Sequence, residues 1–246
     1  MPTLTSPNPR HQRQRQLRLV SFSNEVVERE VVKLQRGLRQ LYFKLRRGQI
    51  SWSTCVEEGT NTIYVAYQGA LLRLEEFLRK HGLQFNVENA ESVAVLSAAM
   101  LAWSNVVFDA AKVEHAIPQP LLINGRVVGV FEGSPSLDYW MSHRGLLRRV
   151  DLLGQDFEYS LYNEVMKTAA KENVSYLDLE EAGGVGGLKW LTEEDEKVCD
   201  DCVRSGIGGE SMDGFYLPHE FELLELPPLH PNCRCRIAIV LYTTKN

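Results

Sequence analysis

Long apolar runs, catalytic signatures and dispersed cysteines are all scarce in this chain, and each scarcity narrows what it can be. The longest nearly apolar run, Val93 to Phe108, is interrupted by Ser97, Ser104 and Asn105. It falls short of the roughly 20 residues a membrane span needs, so it reads as a buried helix, and no membrane partner is expected. Where a signal peptide would carry its apolar core, Arg10, Arg13, Arg15 and Arg18 stand among polar residues, so secretion is not expected. The glycine cluster Gly183–Gly187 is not followed by Lys-Ser/Thr and is not a GxGxxG, which leaves a flexible hinge rather than a phosphate loop. Neither GxSxG nor HExxH occurs. No small-molecule substrate is expected. Five cysteines in 246 residues exclude a disulfide-dense scaffold, and a 44% hydrophobic fraction excludes disorder of the whole chain. One large domain or two modest ones remain.

Charge is unevenly distributed. Residues 1–50 hold 11 Lys and Arg against 3 Asp and Glu, whereas the remainder holds 16 against 29. A basic arm on an acidic body suggests a polyanion or an acidic protein surface as the arm's partner, with a merely solubilising tail as the competing reading.

Four segments follow from pattern. Residues 1–20, rich in Pro, Gln and Arg, read as a basic flexible arm. Residues 21–117 read as helical. Val27, Val31, Leu34, Leu38, Leu41 and Leu45 recur at 4-3-4-3-4 spacing, the seam of a helix that packs on another helix. A second helix is expected from Thr54, with Glu57 at capping-box distance, to about Gly82. A third, apolar nearly all round, is expected after Asn89 to about His115, stopped by Pro118 and Pro120. Residues 118–192 read as a hairpin around Asn124-Gly125, a long helix within Ser136–Lys171, and short strands. Residues 193–246 read as a compact metal-binding module. Trp52, Trp103 and Trp140 sit at apolar positions and read as core, and Cys55 reads as a buried small hydrophobe. The fold class is therefore α+β: a mainly helical N-terminal two-thirds with a small zinc-stapled, β-containing C-terminal module.

The remaining four cysteines lie in the last fifth of the chain. Cys199-Asp200-Asp201-Cys202 is a CxxC, and His230-Pro231-Asn232-Cys233-Arg234-Cys235 supplies a second knuckle with the same two-residue gap. Two knuckles with soft donors are the spacing of a closed tetrahedral zinc site, structural rather than catalytic. Five donors compete for four places. Cys199, Cys202, His230 and Cys233 form the favoured set, with Cys235 as substitute or as a supporting thiol. A disulfide pair fits poorly without a secretory context. A redox CxxC fits poorly because Asp200 and Asp201 would raise a thiolate pKa.

In order, Trp190-Leu191-Thr192, Asp195, Val198-Cys199-x-x-Cys202, a glycine-containing loop, Pro227-Pro228 and His230-Pro231-Asn232-Cys233-Arg234-Cys235 resemble the C-terminal signature of the phage Mu F-like minor head proteins, also called phage head morphogenesis proteins. The specific match covers some 45 residues. An acidic residue at the second position after Cys199 and the acidic stretch Glu220–Glu225 depart from it. The resemblance implies a structural minor capsid protein of a tailed phage, made in the host cytoplasm beside the portal protein. It would lie inside the head near the portal vertex and take part in head assembly, genome packaging or delivery. Portal protein and capsid interior would be its partners, with packaged DNA or portal touched through Arg10, Arg13, Arg15 and Arg18. Two alternatives are weaker. An ADP-ribosyltransferase-like enzyme, because some relatives carry toxin domains, would rest on the Glu194/Glu196 or Glu220/Glu222 pairs, which arise easily in acidic stretches. A cellular zinc-ribbon DNA-binding protein would want a basic face beside the metal, where Glu193–Asp201 is acidic.

Overall fold

The computed structural model describes residues 16–21, 25–86, 90–115, 120–123, 126–130, 142–174, 185–192, 198–209, 213–229, 233 and 235–243. These form a mainly helical protein with a small antiparallel sheet. Four long helices, α1 (Glu25–Arg46), α2 (Trp52–Lys80), α3 (Ala90–His115) and α4 (His143–Glu172), pack in a ring with each beside its neighbours in sequence and α4 closing onto α1. The cross-helix contacts set the directions. Glu30 of α1 meets Arg73 of α2 and Gln35 of α1 meets Asp151 of α4, while Asp109 of α3 meets Arg149 of α4. Neighbours therefore run antiparallel, the up-and-down bundle that short connections favour.

The α1 seam is buried as its spacing requires. Val27, Val31, Leu34, Leu38, Leu41 and Leu45 all enter the core, and it is an intramolecular seam, closed by α2 and α4. Gly37 and Gly59 make the bundle tight. A Cβ on Gly37 would stand 2.9 Å from the Thr62 methyl across the α1–α2 interface. On Gly59 it would fall on the indole of Trp103, whose N–H donates to the Cys55 carbonyl at 3.1 Å. Trp103 is thus seated by a missing side chain and a helix carbonyl, and Cys55 is buried beneath it. Glu30 is the buried carboxylate of this interface. Burial alone would raise its pKa, but Lys33 (3.0 Å) and Arg73 (3.1 Å) reach it and hold it below the ordinary value.

Several local expectations are corrected. The second helix starts at Trp52, because the Ser51 hydroxyl accepts the Thr54 N–H and caps the chain earlier than a Thr54 cap would. Trp52 is exposed and is not core. Trp140 lies outside the described residues. The third helix is apolar nearly all round but is not enclosed: Val95, Ala99, Trp103, Val106 and Val107 are buried, whereas Val93, Leu101 and Phe108 face outward. By length and hydropathy its Val93–Ala110 stretch would suffice to cross a membrane, and here the same stretch supplies a wall of the bundle core.

Strands β1 (Gln16–Val20), β4 (Val185–Leu191), β5 (Phe215–Tyr216) and β6 (Arg236–Thr243) form one sheet in the order β1-β6-β4-β5, every pair antiparallel. The hairpin over 118–131 is present as a separate antiparallel pair, β2 (Pro120–Ile123) and β3 (Arg126–Val130). The sheet draws on three of the four segments read from the sequence. Gln16–Val20, expected in the flexible arm, is hydrogen-bonded along β6 from Thr243 to Ile239, and β4 lies along the other edge of β6. Gly186 and Gly187, read as a hinge, belong to β4, and a Cβ at Gly187 would sit 2.5 Å from the Tyr216 carbonyl. Close strand approach is their role here. Ile237, Ile239, Leu188 and Trp190 pack into the same core cluster as the helices.

Candidate metal centre

Helix α4 carries the sheet. The Tyr162 hydroxyl donates to the Ile237 carbonyl at 2.9 Å, and the side-chain Oδ1 of neighbouring Asn163 accepts the Ile237 N–H at 2.9 Å. The Asn163 amide also donates to the Pro227 carbonyl (2.9 Å) and to the Tyr159 carbonyl (2.8 Å). One fully buried side chain thus ties the helix to the start of β6 and to the loop before it. A turn further on, Lys167 donates to the Leu224 carbonyl and Lys171 pairs with Glu222 at 3.0 Å.

Two knuckles converge on this scaffold. The first is the short helix α5 (Asp200–Gly206), capped by Cys199. The Cys199 sulfur accepts the Cys202 N–H at 3.4 Å, wrapping the CxxC around the first turn. The second is the approach to β6, where Cys233 and Cys235 are both buried. The sulfurs of Cys202, Cys233 and Cys235 all lie within 4.8 Å of one another, and those of Cys202 and Cys233 are 3.5 Å apart. A disulfide needs about 2.05 Å, and all five cysteines are free thiols. A tetrahedral ion with metal–sulfur bonds of about 2.3 Å spaces its sulfurs about 3.8 Å apart, so the cluster fits a thiolate-bound metal. The thiols also polarise one another. Cys235 donates to Cys233, which holds Cys233 below an ordinary thiol and pushes Cys235 up, while burial pushes Cys202 up.

Cys235, the expected substitute, stands in the inner group with Cys202 and Cys233, because both residues of the Cys-x-Cys pair turn into the core as β6 begins. Cys199 is half-buried beside Cys202, outside the group of three whose sulfurs lie within 4.8 Å of one another. His230 lies outside the described residues, as do Arg10, Arg13 and Arg15. Arg18 is described: it sits on β1, and its guanidinium meets His81 at 2.8 Å. Of the two acidic pairs, Glu194/Glu196 is outside the described residues. Glu220 accepts the Leu217 N–H at 2.7 Å and Glu222 pairs with Lys171, both tasks that shape the loop. Trp190 is buried at the centre of the sheet, and its indole N–H has no acceptor among the described residues.

Sequence reading missed Asn163, Asp156 and Glu158. Asn163 had a signal: a lone amide among Leu161, Tyr162, Val165, Met166 and Ala169 on an apolar face. The two acids had none. Asp156, half-buried and raised by burial and by the nearby Cys233, lines a groove of about 430 Å³ between α3, α4 and Leu226–Pro228. Glu158 is raised to about 7 by burial and by Glu28, with Arg236 acting the other way. A carboxyl with a raised folded pKa binds its proton in the folded state where the unfolded chain has released it. Stability therefore falls as pH rises from about 4.5 to about 7. Glu158→Gln is expected to stabilise the chain by about 2 kcal/mol at pH 8, discounted for partial exposure, and by almost nothing at pH 4. Thermal melts at the two pH values check this; equal effects at both would refute it.

No family model, curated protein or solved structure matches the chain.

Proposed function

We propose that this chain is a non-enzymatic structural protein of a tailed-phage head, a minor head protein of the Mu F-like type, in which a zinc ion closes the cysteine cluster. The observation that carries the reading is the convergence of Cys202 with Cys233 and Cys235 across a 31-residue separation. That convergence gives the CxxC and HPNCRC knuckles a common physical purpose. Four thiolates, from Cys199, Cys202, Cys233 and Cys235, or three with His230, fill a tetrahedral ion and leave no open position for a reacting water. The zinc then holds the α5 knuckle against the start of β6. It is a staple, and the helical bundle beside it is the surface that meets other subunits. On this reading the chain sits inside the head at the portal vertex, bound to portal protein and capsid interior, and serves head assembly, genome packaging or delivery.

The test is co-expression with the portal subunit encoded in the same genome, followed by size-exclusion chromatography and mass spectrometry of purified particles. Co-elution with portal oligomers and recovery from intact heads are expected. Portal oligomers and heads that both lack the chain would overturn the assignment, whatever metal the cysteines hold.

A further inference from the structure

The strongest surface not used by the metal centre is the outward face of α1. Arg29, Lys33, Arg36, Gln40, Lys44 and Arg47 recur at 4-3-4-4-3 spacing, directly opposite the buried seam, and all are exposed. The row runs about 27 Å at 1.5 Å per residue. Between Arg29 and Arg47 no acid lies on this face. Ordinary surface helices interleave opposite charges at i,i+4. Here Glu30 is turned inward and held by Lys33 and Arg73, and Glu28, exposed at the N-terminal end of the row beside Arg29, is the one acid that borders it. Arg39, at the edge, is paired with Asp151 of α4. Among the described residues no ion pair holds Arg29, Arg36, Lys44 or Arg47. Val32 and Phe43 are exposed between the cations. Two shallow grooves flank Arg36: one of about 390 Å³ against Glu28, Arg29 and Lys33, one of about 290 Å³ against Arg39 and Phe43.

A straight cationic row that is compensated only toward its N-terminal end, where Lys33 meets Glu30 and Glu28 borders Arg29, repels itself from Arg36 to Arg47, and does so here in a chain whose net charge is −5. Guanidinium and ammonium groups spaced along a line, with neutral and apolar residues between them, match a phosphate track with sugar edges between the charges. The geometry points to the outward face of α1 as a sequence-independent binding surface for double-stranded nucleic acid. Seven of the eleven basic residues among the first 50 lie in Arg29–Arg47, so the positive charge is displayed on a rigid helix more than on the arm. The assignment stands on this face alone and does not require the phage reading.

Anisotropy of a labelled 24-base-pair duplex of arbitrary sequence, titrated with the full chain from 50 to 200 mM salt, tests it. With four or five phosphate contacts, log K is expected to fall against log salt with a slope of about −4. The Arg29→Gln, Arg36→Gln, Lys44→Gln, Arg47→Gln quadruple variant keeps helix-forming residues at exposed positions. It is expected to lose about 100-fold in affinity at 100 mM salt and most of the slope, with an unchanged far-ultraviolet spectrum. Arg10→Gln, Arg13→Gln, Arg15→Gln is expected to lose less than tenfold. Failure of the natural chain to bind duplex at 50 mM salt, or wild-type affinity in the quadruple variant, would overturn the assignment. So would poly-glutamate competing as well as duplex at equal charge, which would make the face a site for acidic protein.

Discussion

Removing the metal from the purified chain is expected to lower its melting temperature by about 10–15 °C and to free the two knuckles first. A thiolate-bound structural ion is worth of order 10 kcal/mol to a small zinc-dependent fold, because binding and folding are the same event there. In this chain the gain is smaller. Ile237, Ile239 and Leu188 already bury the sheet against α4, so the apo protein retains a core. A loss of about 4 kcal/mol, at the 2–4 °C per kcal/mol usual for a chain of this size, gives the stated drop. Hydrogen exchange should rise at 198–209 and at 229–235 and stay slow in α1 and α2. Elemental analysis of the natural chain is expected to find about one zinc per molecule. Cys202→Ser and Cys233→Ser should each carry less than a tenth of that, and Cys55→Ser, whose thiol lies under Trp103 in the bundle, should carry the full amount. Full zinc retention in both knuckle variants, or an unchanged melt after chelation, would sink the staple. Cys235→Ser then decides the ligand set: loss of metal equal to that of Cys233→Ser is expected from its place in the inner group.

The parts of this fold that were legible in the sequence are those where a period and a burden of apolar residues coincide. The α1 seam, the extent of α3, the end of α2 and the hairpin after Pro118 follow from spacing and stop signals alone. The two knuckles were legible because soft ligands at fixed gaps are rare by chance. What was not legible depends on partners distant in sequence. Val65 and Leu72 satisfy a helical count yet face water, since only the neighbouring helices decide which side is inside. The pairing of Gln16–Val20 with β6 joins residues more than 200 apart, and nothing in an Arg- and Gln-rich segment signals a strand without that edge to receive it. The place of Cys235 beside Cys202 and Cys233 was not legible from spacing, and it is the local start of β6 that turns it inward. The roles of glycines are hidden in the same way. Gly59 and Gly187 are needed for what approaches them, an indole in one case and a strand carbonyl in the other, and neither neighbour is adjacent in sequence.

Asn163→Leu is expected to destabilise the chain by about 3–5 kcal/mol and to loosen the metal centre with it. The side chain is fully buried and makes three backbone hydrogen bonds through both ends of its amide, to the Ile237 N–H and to the carbonyls of Pro227 and Tyr159; leucine fills the volume and satisfies none. Each buried backbone group left unpaired costs about 1–3 kcal/mol, more than the bond itself contributes, and the Ile237 N–H and the Pro227 carbonyl are both stranded. Tyr162→Phe removes one neighbouring bond without burying a new orphan side chain and is expected to cost about 1 kcal/mol. The two anchored groups bracket the second knuckle: Pro227 precedes Cys233 by six residues and Ile237 follows Cys235 by two. Slack at both ends should let the sulfurs of Cys233 and Cys235 drift from Cys202, so Asn163→Leu should release zinc to a chelator at least tenfold faster than the natural chain. Leu38→Ala, a cavity of similar cost on α1, separates this from general instability, and its release rate should stay within threefold of the natural chain. If both variants released metal equally fast, Asn163 would be an ordinary core residue; a gap between them makes α4 the element that sets the geometry of the metal centre.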